Sequence, residues 1–334
     1  MKKLVVKWLC VTLGTLLIPL CMKNAVPPPE SVVVTTAAPA QETQAEPDTV
    51  RVYLSDSGKT VTLSLRDYVV GVTAAEMPVS FEHDALCAQA LASLTYTLYQ
   101  QKHPKQELAG GAQLSDDPAC YQAFWTMEEM RRRWGDDFDV NYEKISRAAD
   151  EVLGYEIVYE DEPVAAAFHA ISPGRTESAE NVWGSGMPYL VSVESEGDSV
   201  SAKYRSSLTV NAKEFRAKLG LETDDEPEDW LGDAAYSDAG TLLAVKIAGK
   251  TFTGQELRRI FDLQSAAITL SCDGGSFTFD VKGYGHGVGM SQYGADYYAR
   301  QGMTWREIIA HYYPGTSIVE RSPTMQSQVA SRES

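Results

Sequence analysis

A glycine-rich segment, GYGHGVGMSQYGA at 283–295, constrains the fold of this chain more than any other feature of its sequence. Glycine adopts positive φ angles and lets the backbone approach other groups closely, so the alternating glycines predict a tightly turning loop. No lysine follows the glycines and neither nucleotide-binding fingerprint is matched, which argues against a phosphate site. Two interpretations remain: a purely structural turn, or a wall of a polar-ligand cleft that displays His286 and Gln292. Ser291 is placed to cap the helix that follows.

Glu76 is the most informative acidic residue, because it lies in TAAEMP (73–78) at the predicted end of a helix. Small apolar neighbours reduce the hydration of a carboxylate, and a helix C-terminus disfavours the anion, so we expect a raised pKa. A carboxyl group that is still protonated near neutral pH can donate its proton to a leaving glycosidic oxygen. The alternative is a partly exposed residue of the last helical turn with no role in catalysis.

A third segment, FHAISPGRTESAENVWG at 168–184, places polar residues directly after an apolar run. His169, Ser172 and Glu177 belong to it, and polar groups at a strand end commonly gather around a ligand. Trp183 is a candidate for stacking on the face of a sugar. A polar loop without function is the alternative.

The charge of the chain argues against nucleic acid as a partner. The formal net charge is −17 and the pI is about 4.7, whereas a nucleic-acid binder needs a basic face that displaces counterions from phosphates. The one basic run, RRR at 131–133, is flanked by acidic residues and predicts a solvated helix face.

The cysteines and histidines predict neither a disulfide framework nor a metal centre. Cys87, Cys120 and Cys272 follow the apolar N-terminal segment; because three is odd, at most one disulfide forms. Cys87 and Cys272 are expected to be small buried hydrophobes. The histidines are scattered, with neither HExxH nor closed-site spacing, so we predict no metal and no cofactor.

The two ends of the chain predict an exported protein. Lysines precede an uncharged apolar stretch within residues 1–23, which indicates either a signal peptide or a short membrane anchor. Residues 24–49 are rich in Pro, Ala, Thr and acid and predict a disordered linker. Residues 323–334 predict a disordered tail. The body at 50–322 is expected to lie outside the cytoplasm.

The body mixes strand-like and helix-like patterns without a βαβ repeat, which predicts an α+β (mixed α/β) fold: one irregular domain with room for a smaller inserted lobe. Strands are predicted at 50–54, 60–65, 155–160, 164–170, 189–195, 241–247, 267–272 and 277–283. Helices are predicted at 84–103, 126–134 and 141–153, and after the capping residues Ser64, Asn211, Thr253, Ser291 and Thr304.

Taken together, these segments resemble the stage II sporulation protein D family in order and spacing. The resemblance is carried by YVVGVTAAEMP with FEHDALCAQALASLTY, by the segment at 168–195, and by the glycine-rich segment with its trailing HYYPGT. It covers roughly residues 50–320.

The resemblance implies a lytic transglycosylase that cleaves the β-1,4 bond between N-acetylmuramic acid and N-acetylglucosamine and leaves a 1,6-anhydro end. Glu76 matches the family's single catalytic acid. Peptidoglycan glycan strands are the implied substrate, and a peptidoglycan amidase and a membrane scaffold protein of forespore engulfment are the implied partners. The expected substrate-binding residues are Gln89, Tyr96, His169, Ser172, Glu177, Tyr284, His286, Met290, Ser291, Gln292 and Tyr293.

The sequence departs from the family pattern at three places, one of which is SPGR at 172–175, where Ser-x-Gly-Gly is more usual. Leu94 stands where the family usually has an arginine, in the helix after the acid. Some relatives bind zinc in the loop after that helix, but here only Cys120 is retained, with Ser115 and Ala119 at two other ligand positions, so we predict no zinc there. Leu94 motivates a second hypothesis, a weakened relative that grips glycan and recruits an amidase without cutting.

Overall fold

The computed structural model describes residues 48–321. The predicted membrane anchor or signal segment at 1–23, nearly all of the linker at 24–49 and the tail at 323–334 lie outside the described residues. Strand β1 begins at Thr49, the last residue of the predicted linker. Within 48–321, no helix has both the length and the apolar character that crossing a membrane requires.

Helices and strands alternate irregularly along the described chain, so the predicted α+β class is confirmed. The helices are α1 Leu65–Glu76, α2 His83–Lys102, α3 Met127–Trp134, α4 Phe138–Val152, α5 Ala179–Trp183, α6 Ala212–Leu219, α7 Gly254–Phe261, α8 Gln292–Arg300 and α9 Trp305–Tyr312. The strands are β1 Thr49–Leu54, β2 Lys59–Ser64, β3 Leu114–Ser115, β4 Tyr155–Tyr159, β5 Glu162–Pro163, β6 Phe168–His169, β7 Arg205–Asn211, β8 Leu231–Tyr236, β9 Leu242–Ile247, β10 Lys250–Phe252, β11 Ala267–Asp273, β12 Ser276–Lys282, β13 Met290–Ser291 and β14 Ser317–Glu320.

The strands form small separate sheets. Their orders are β2-β1-β3, β14-β4-β5, β10-β9-β8 and β11-β12-β7, with a parallel pair between β6 and β13. The pair of β6 and β13 matters most for the site, because it joins the 168–184 segment to the glycine-rich loop.

The predicted side-chain caps set the starts of several helices. The Ser64 hydroxyl accepts from the Asp67 backbone N–H at the start of α1, and the Ser291 hydroxyl accepts from Gly294 at the start of α8. Thr253 and Thr304 head complete capping boxes. Helix α1 ends at Glu76 because Met77, which precedes a proline, is extended.

Helix α2 lies at the centre of the larger hydrophobic core. Its small-residue stripe, Ala85, Ala88 and Ala92, is fully buried, and the helix packs against α1, α4, α8 and α9. Small side chains let neighbouring helices approach closely, which is how one helix contacts several others. Cys87 is buried in this core, as predicted.

A second, smaller hydrophobic core occupies 205–282 and is built from β7–β12, α6 and α7. Phe215 stacks on Phe277 at its centre, with ring centroids 3.8 Å apart. The chain enters this lobe at Tyr204 and returns at Gly283, whose N–H donates to the Tyr204 carbonyl at 2.8 Å. The lobe is therefore an insertion whose two ends meet beside the glycine-rich loop.

Two strand predictions are wrong in whole or in part. Residues 189–195 form no strand; apart from one isolated bridge between Arg175 and Glu194, they are held by irregular backbone bonds. In the segment 164–170, only Phe168 and His169 form a strand. An apolar run predicts burial, but a strand also needs a partner of matching length, and β13 offers only two residues.

Candidate active site

A cavity of about 670 Å³ lies where the end of α1, the 118–122 loop, β6 and the glycine-rich loop meet. Arg258 of helix α7 reaches it from the inserted lobe. Among the described residues that line this cavity, Glu76 is the one that carries a carboxylate. The three segments singled out in the sequence therefore converge on a single concave surface.

The carboxylate of Glu76 is held by one donor on each oxygen. Oε1 accepts from the backbone N–H of Ala123 at 2.8 Å, and Oε2 accepts from Nε2 of Gln292 at 3.1 Å. Burial raises the pKa of Glu76 above its usual value, and these two hydrogen bonds oppose that rise. Desolvation is the larger effect, so the protonated acid is favoured more strongly than in a solvated glutamate.

Gln292 is itself fixed by the central helix. Its Nε2 also lies 3.3 Å from Oε1 of Gln89, whose own Nε2 donates to the Ser93 hydroxyl at 3.0 Å. Gln89 and Ser93 are fully buried and face this chain of bonds one helical turn apart on α2. This relay holds the Gln292 amide in the orientation that presents an N–H group to Glu76.

Two histidines lie side by side, with ring centroids 5.8 Å apart, and the Val288 backbone orients both. The Val288 N–H donates to Nδ1 of His286 at 3.0 Å, and Nδ1 of His169 donates to the Val288 carbonyl at 3.1 Å. Nε2 of His169 therefore carries a lone pair, and it is buried without a partner among the described residues.

Both imidazoles are neutral at physiological pH. Burial, with the nearby His286 as a smaller cause, lowers the pKa of His169 to about 3. Burial and the charge of Arg258 lower the pKa of His286 to about 4. Neither ring can act as a proton donor in its cationic form near pH 7.

Exposed aromatic side chains flank the mouth of the cavity. Trp183 is 47% exposed and Tyr284 is 42% exposed, and both line it. The Trp183 ring contacts His286, with centroids 5.4 Å apart. Large flat apolar faces left in solvent are the usual platforms for the apolar faces of sugar rings.

Positively charged side chains also line the cavity, and the sequence analysis did not single them out. They are Lys105, Lys203 and Arg258. Lys105 donates to the Tyr96 hydroxyl at 2.8 Å and to the Cys120 carbonyl at 2.7 Å, and burial lowers its pKa. No local motif marks these residues, because they come from a loop after α2, from the entry to the lobe and from the lobe itself.

Most of the residues expected to bind substrate line the cavity. Those that do so, together with the predicted acid Glu76, are Tyr96, His169, Tyr284, His286, Gln292 and Tyr293. Gln89 lies behind Gln292 and reaches the cavity only through it. Ser172, Glu177, Met290 and Ser291 are almost fully buried and lie outside the lining, within the wall.

The two serines in the wall bind a buried acid that the sequence analysis missed. The hydroxyls of Ser172 and Ser291 donate to Asp198 at 2.6 and 2.5 Å. Burial raises the pKa of Asp198, and these hydrogen bonds oppose the rise. Through Asp198, Ser172 and Ser291 connect the segment at 168–184 to the start of α8. Their contribution to the site is therefore to stabilise the wall of the cavity.

Glu177 joins the glycine-rich loop to the inserted lobe. Its backbone N–H donates to the Gly287 carbonyl at 2.7 Å, and its Oε2 accepts from the Ser237 hydroxyl at 2.5 Å. Asn181 donates to the other carboxylate oxygen at 2.8 Å. Both carboxylate oxygens are hydrogen-bonded within the fold, so Glu177 holds the loop and the lobe together.

Leu94, at the place where the family usually has an arginine, is fully buried in the larger core. Its side chain packs against apolar neighbours and lies outside the lining of the cavity. Cys120, in contrast, is exposed and lines the cavity.

Comparison with known proteins agrees with the resemblance seen in the motifs. A family model described as "Stage II sporulation protein" matches residues 54–159. The chain is 36% identical over 287 residues to stage II sporulation protein D of Bacillus amyloliquefaciens, covering 86% of this chain and 83% of that protein. It is 34% identical over 294 residues to the Bacillus subtilis protein of the same name, covering 88% and 85% of the two chains.

A more distant relative is the amidase enhancer of Bacillus subtilis, which is 26% identical over 307 aligned residues. That match covers 74% of this chain but only 40% of the relative. The two nearer relatives are aligned over most of their length, and their similarity extends well beyond the segment around the acid. On this similarity, together with the glycine-rich loop and the buried acid that face one cavity, the chain belongs to the stage II sporulation protein D family.

Proposed function

We propose that this protein is a peptidoglycan lytic transglycosylase that acts on the septal wall during engulfment of the forespore. It would cleave the β-1,4 bond between N-acetylmuramic acid and N-acetylglucosamine and leave a 1,6-anhydro end. Family membership and the names of the two nearer relatives support a role in sporulation. The site is the basis for the reaction class.

One observation carries the proposal: Glu76 is the single carboxylate among the described residues that line the cavity, and its pKa is raised. Hydrolytic glycosidases use two carboxylates that flank the scissile bond. A lytic transglycosylase needs only one, because the 6-hydroxyl of the substrate's own muramic acid replaces water as the nucleophile. The composition of the cavity favours the second reaction.

The steps require one proton donor that later accepts a proton. The protonated carboxyl of Glu76 gives its proton to the glycosidic oxygen as the bond from that oxygen to the anomeric carbon of muramic acid breaks. The 6-hydroxyl oxygen then bonds to the anomeric carbon, and its proton passes to the Glu76 carboxylate. The enzyme is restored, and no water is consumed.

The remaining lining fits a glycan that carries negative charge. Each N-acetylmuramic acid without a stem peptide has a free lactyl carboxylate, for which Lys105 and Arg258 are suitable partners. Trp183 and Tyr284 offer stacking faces for the sugar rings.

The finer biological setting is part of the same proposal. The protein would work outside the cytoplasm, beside a peptidoglycan amidase and a membrane scaffold protein. The amidase enhancer among its relatives supports a link to an amidase.

A second candidate is a glycan-binding relative that recruits an amidase without cutting. Two observations favour it: Leu94 replaces the usual arginine and is buried in the core, and the amidase enhancer is named for an auxiliary role. The two candidates differ in whether any glycosidic bond is broken.

Mass analysis of the products distinguishes the two functions and also tests the reaction class. Peptide-free glycan strands incubated with the protein are expected to yield fragments that end in 1,6-anhydro muramic acid, each lighter by one water than the hydrolytic product. Fragments with reducing ends would indicate a hydrolase. Intact strands that nevertheless bind the protein would establish the second candidate in place of the first.

A further inference from the structure

We propose that His83, Cys87 and Glu151 form a zinc site between the start of α2 and the end of α4. The three residues are the one group of potential metal ligands within residues 48–321 whose ligand atoms all lie within 4.8 Å of one another. None of them lines the Glu76 cavity, so the proposal does not depend on the catalytic function.

The helical geometry places the three ligands together. His83 and Cys87 are four residues apart in the first turns of α2, so their side chains lie on one face. Glu151, in the last turn of α4, approaches that face from the packed neighbouring helix. Sequence spacing alone does not reveal this site, because the third ligand comes from another helix.

The distances are close to those that zinc requires. Sγ of Cys87 lies 3.5 Å from Nε2 of His83, and Oε2 of Glu151 lies 2.8 Å from the same nitrogen. Zinc–ligand bonds of roughly 2.0–2.3 Å at tetrahedral angles place sulfur and nitrogen about 3.6 Å apart, and nitrogen and oxygen about 3.4 Å apart. The sulfur–nitrogen distance fits zinc, whereas Oε2 of Glu151 has to move away from His83 by roughly 0.6 Å to admit the ion.

The chemistry of the ligand set favours zinc over harder cations. Thiolate and imidazole are ligands for zinc and other late transition metals, whereas Mg²⁺ and Ca²⁺ take oxygen ligands almost exclusively. One thiolate and one carboxylate would neutralise a divalent ion. Since a thiolate is the metal-binding form, one proton leaves Cys87 when the ion enters.

The carboxylate of Glu151 is already oriented as a ligand. The indole Nε1 of Trp305 donates to Glu151 Oε1 at 2.9 Å, which leaves Oε2 facing His83. Trp305 is buried, and its backbone N–H donates to Asp84 at 2.8 Å. Partners of this kind, which fix a ligand from behind, typically contribute 10- to 100-fold to metal affinity.

The fourth coordination position would be open to solvent. The His83 side chain is 29% exposed and that of Glu151 is 44% exposed, while Cys87 forms the buried floor. The exposed side gives the ion an entry path and room for a bound water. A metal there would join the start of α2 to the end of α4, and α2 also carries Gln89 of the relay to Glu76.

Cobalt(II) titration of the full-length protein, kept reduced, tests the site directly. Wild type is expected to bind one equivalent, with a sulfur-to-cobalt charge-transfer absorption in the near ultraviolet and intense visible bands of a four-coordinate ion. Cys87→Ser is expected to abolish the charge-transfer band, and the matched control Cys120→Ser is expected to keep it. Absence of the band in wild type, or its survival in Cys87→Ser, would overturn the proposal.

Because Cys87 is buried and its substitution could disturb folding, a second variant changes an exposed ligand. Glu151→Gln is expected to weaken cobalt and zinc binding by about 10-fold or more, since even groups behind the ligands contribute that much. In addition, zinc is expected to raise the melting temperature of wild type more than that of Glu151→Gln. Equal metal affinities of wild type and Glu151→Gln would contradict the proposal, because Glu151 would then only pair with His83 and would not be a metal ligand.

Discussion

The carboxyl group of Glu76 is subject to two opposing influences, and their balance sets its protonation state. Burial removes water from the carboxylate and raises its pKa, while the N–H groups of Ala123 and Gln292 stabilise the anion and lower it. An acid that must first donate a proton and then accept one benefits from both, because neither state is strongly trapped. In the proposed reaction, the donors from Ala123 and Gln292 would therefore tune the pKa of the acid.

Replacing Gln292 by methionine tests this tuning. Gln292→Met keeps the volume but removes the donor to Oε2, so the pKa of Glu76 rises further. The first step needs the protonated acid, so activity is lost as the pH rises through the pKa of Glu76. Because this pKa is higher in Gln292→Met, the alkaline limb of its kcat/KM profile is expected to move to higher pH.

The matched control is Gln301→Met at the exposed end of the same helix, which should leave the pH profile unchanged. In Gln292→Met, Gln89 loses the amide group that donates to its side-chain oxygen. A buried group left without its partner typically costs about 1–3 kcal/mol of stability, so the free energy of unfolding of this variant is measured in parallel. A limb that moves to lower pH, or stays in place, would contradict the tuning role.

The glycine-rich loop positions the site through close backbone approach. Gly289 has a φ of +71°, and a Cβ there would lie 2.0 Å from the carbonyl oxygen of Ala167. This contact lets the Met290 N–H donate to the same carbonyl at 3.1 Å and brings β13 alongside β6. His169 and Gln292 reach the same cavity because these two short strands are paired.

Substitution of Gly289 by alanine is expected to lower the free energy of unfolding more than the same change at Gly302. Both positions have positive φ, but a Cβ at Gly302 meets nothing within 4 Å, so the control isolates the clash. Overpacking of this kind typically costs about 1–3 kcal/mol. Denaturant unfolding of Gly289→Ala and Gly302→Ala measures the difference, and equal losses would show that backbone strain alone requires the glycine.

Short sequence motifs predicted where helices begin and end, whereas contacts between residues far apart in the sequence determine the composition of the site. The caps at Ser64 and Thr304 and the Met77-Pro78 stop could be predicted because each depends on neighbours within a few residues. The roles of Ser172 and Ser291 could not, because their partner Asp198 lies in a short 3₁₀ helix, Glu196–Val200, with no motif. The same limit applies to Arg258, which enters the cavity from a separate lobe.

The molecule as a whole combines a main body that holds the acid with an inserted lobe that supplies charge. The lobe has its own core and meets the body at Glu177, whose carboxylate accepts from Ser237, and at Gly285, whose N–H donates to the Gln264 carbonyl at 3.0 Å. These contacts place Arg258 in the cavity, and burial there lowers its pKa. In a chain of net charge −17, a cation-lined cavity is a local exception that suits an anionic ligand, as the proposed function requires.

Removal of the Arg258 charge is expected to raise KM for peptide-free glycan by about 10-fold, because a hydrogen bond to a charged group contributes about 1.5–3 kcal/mol. Arg258→Gln should also weaken the dependence of KM on salt. Arg259→Gln, the next residue on α7 and exposed, is the matched control and should behave as wild type. Identical KM values for the two variants would remove Arg258 from substrate recognition.

The most direct test of the central claim is the rate at which Glu76→Gln cleaves peptide-free glycan strands. Glutamine keeps the shape of the side chain but has no acidic proton to give, so cleavage is expected to fall by about 10²- to 10⁴-fold in a protein that still unfolds cooperatively. Glu82→Gln, an exposed carboxylate that pairs with Arg300, serves as the control and should cleave normally. If Glu76→Gln turned over glycan at the rate of Glu82→Gln, Glu76 would not be the proton donor.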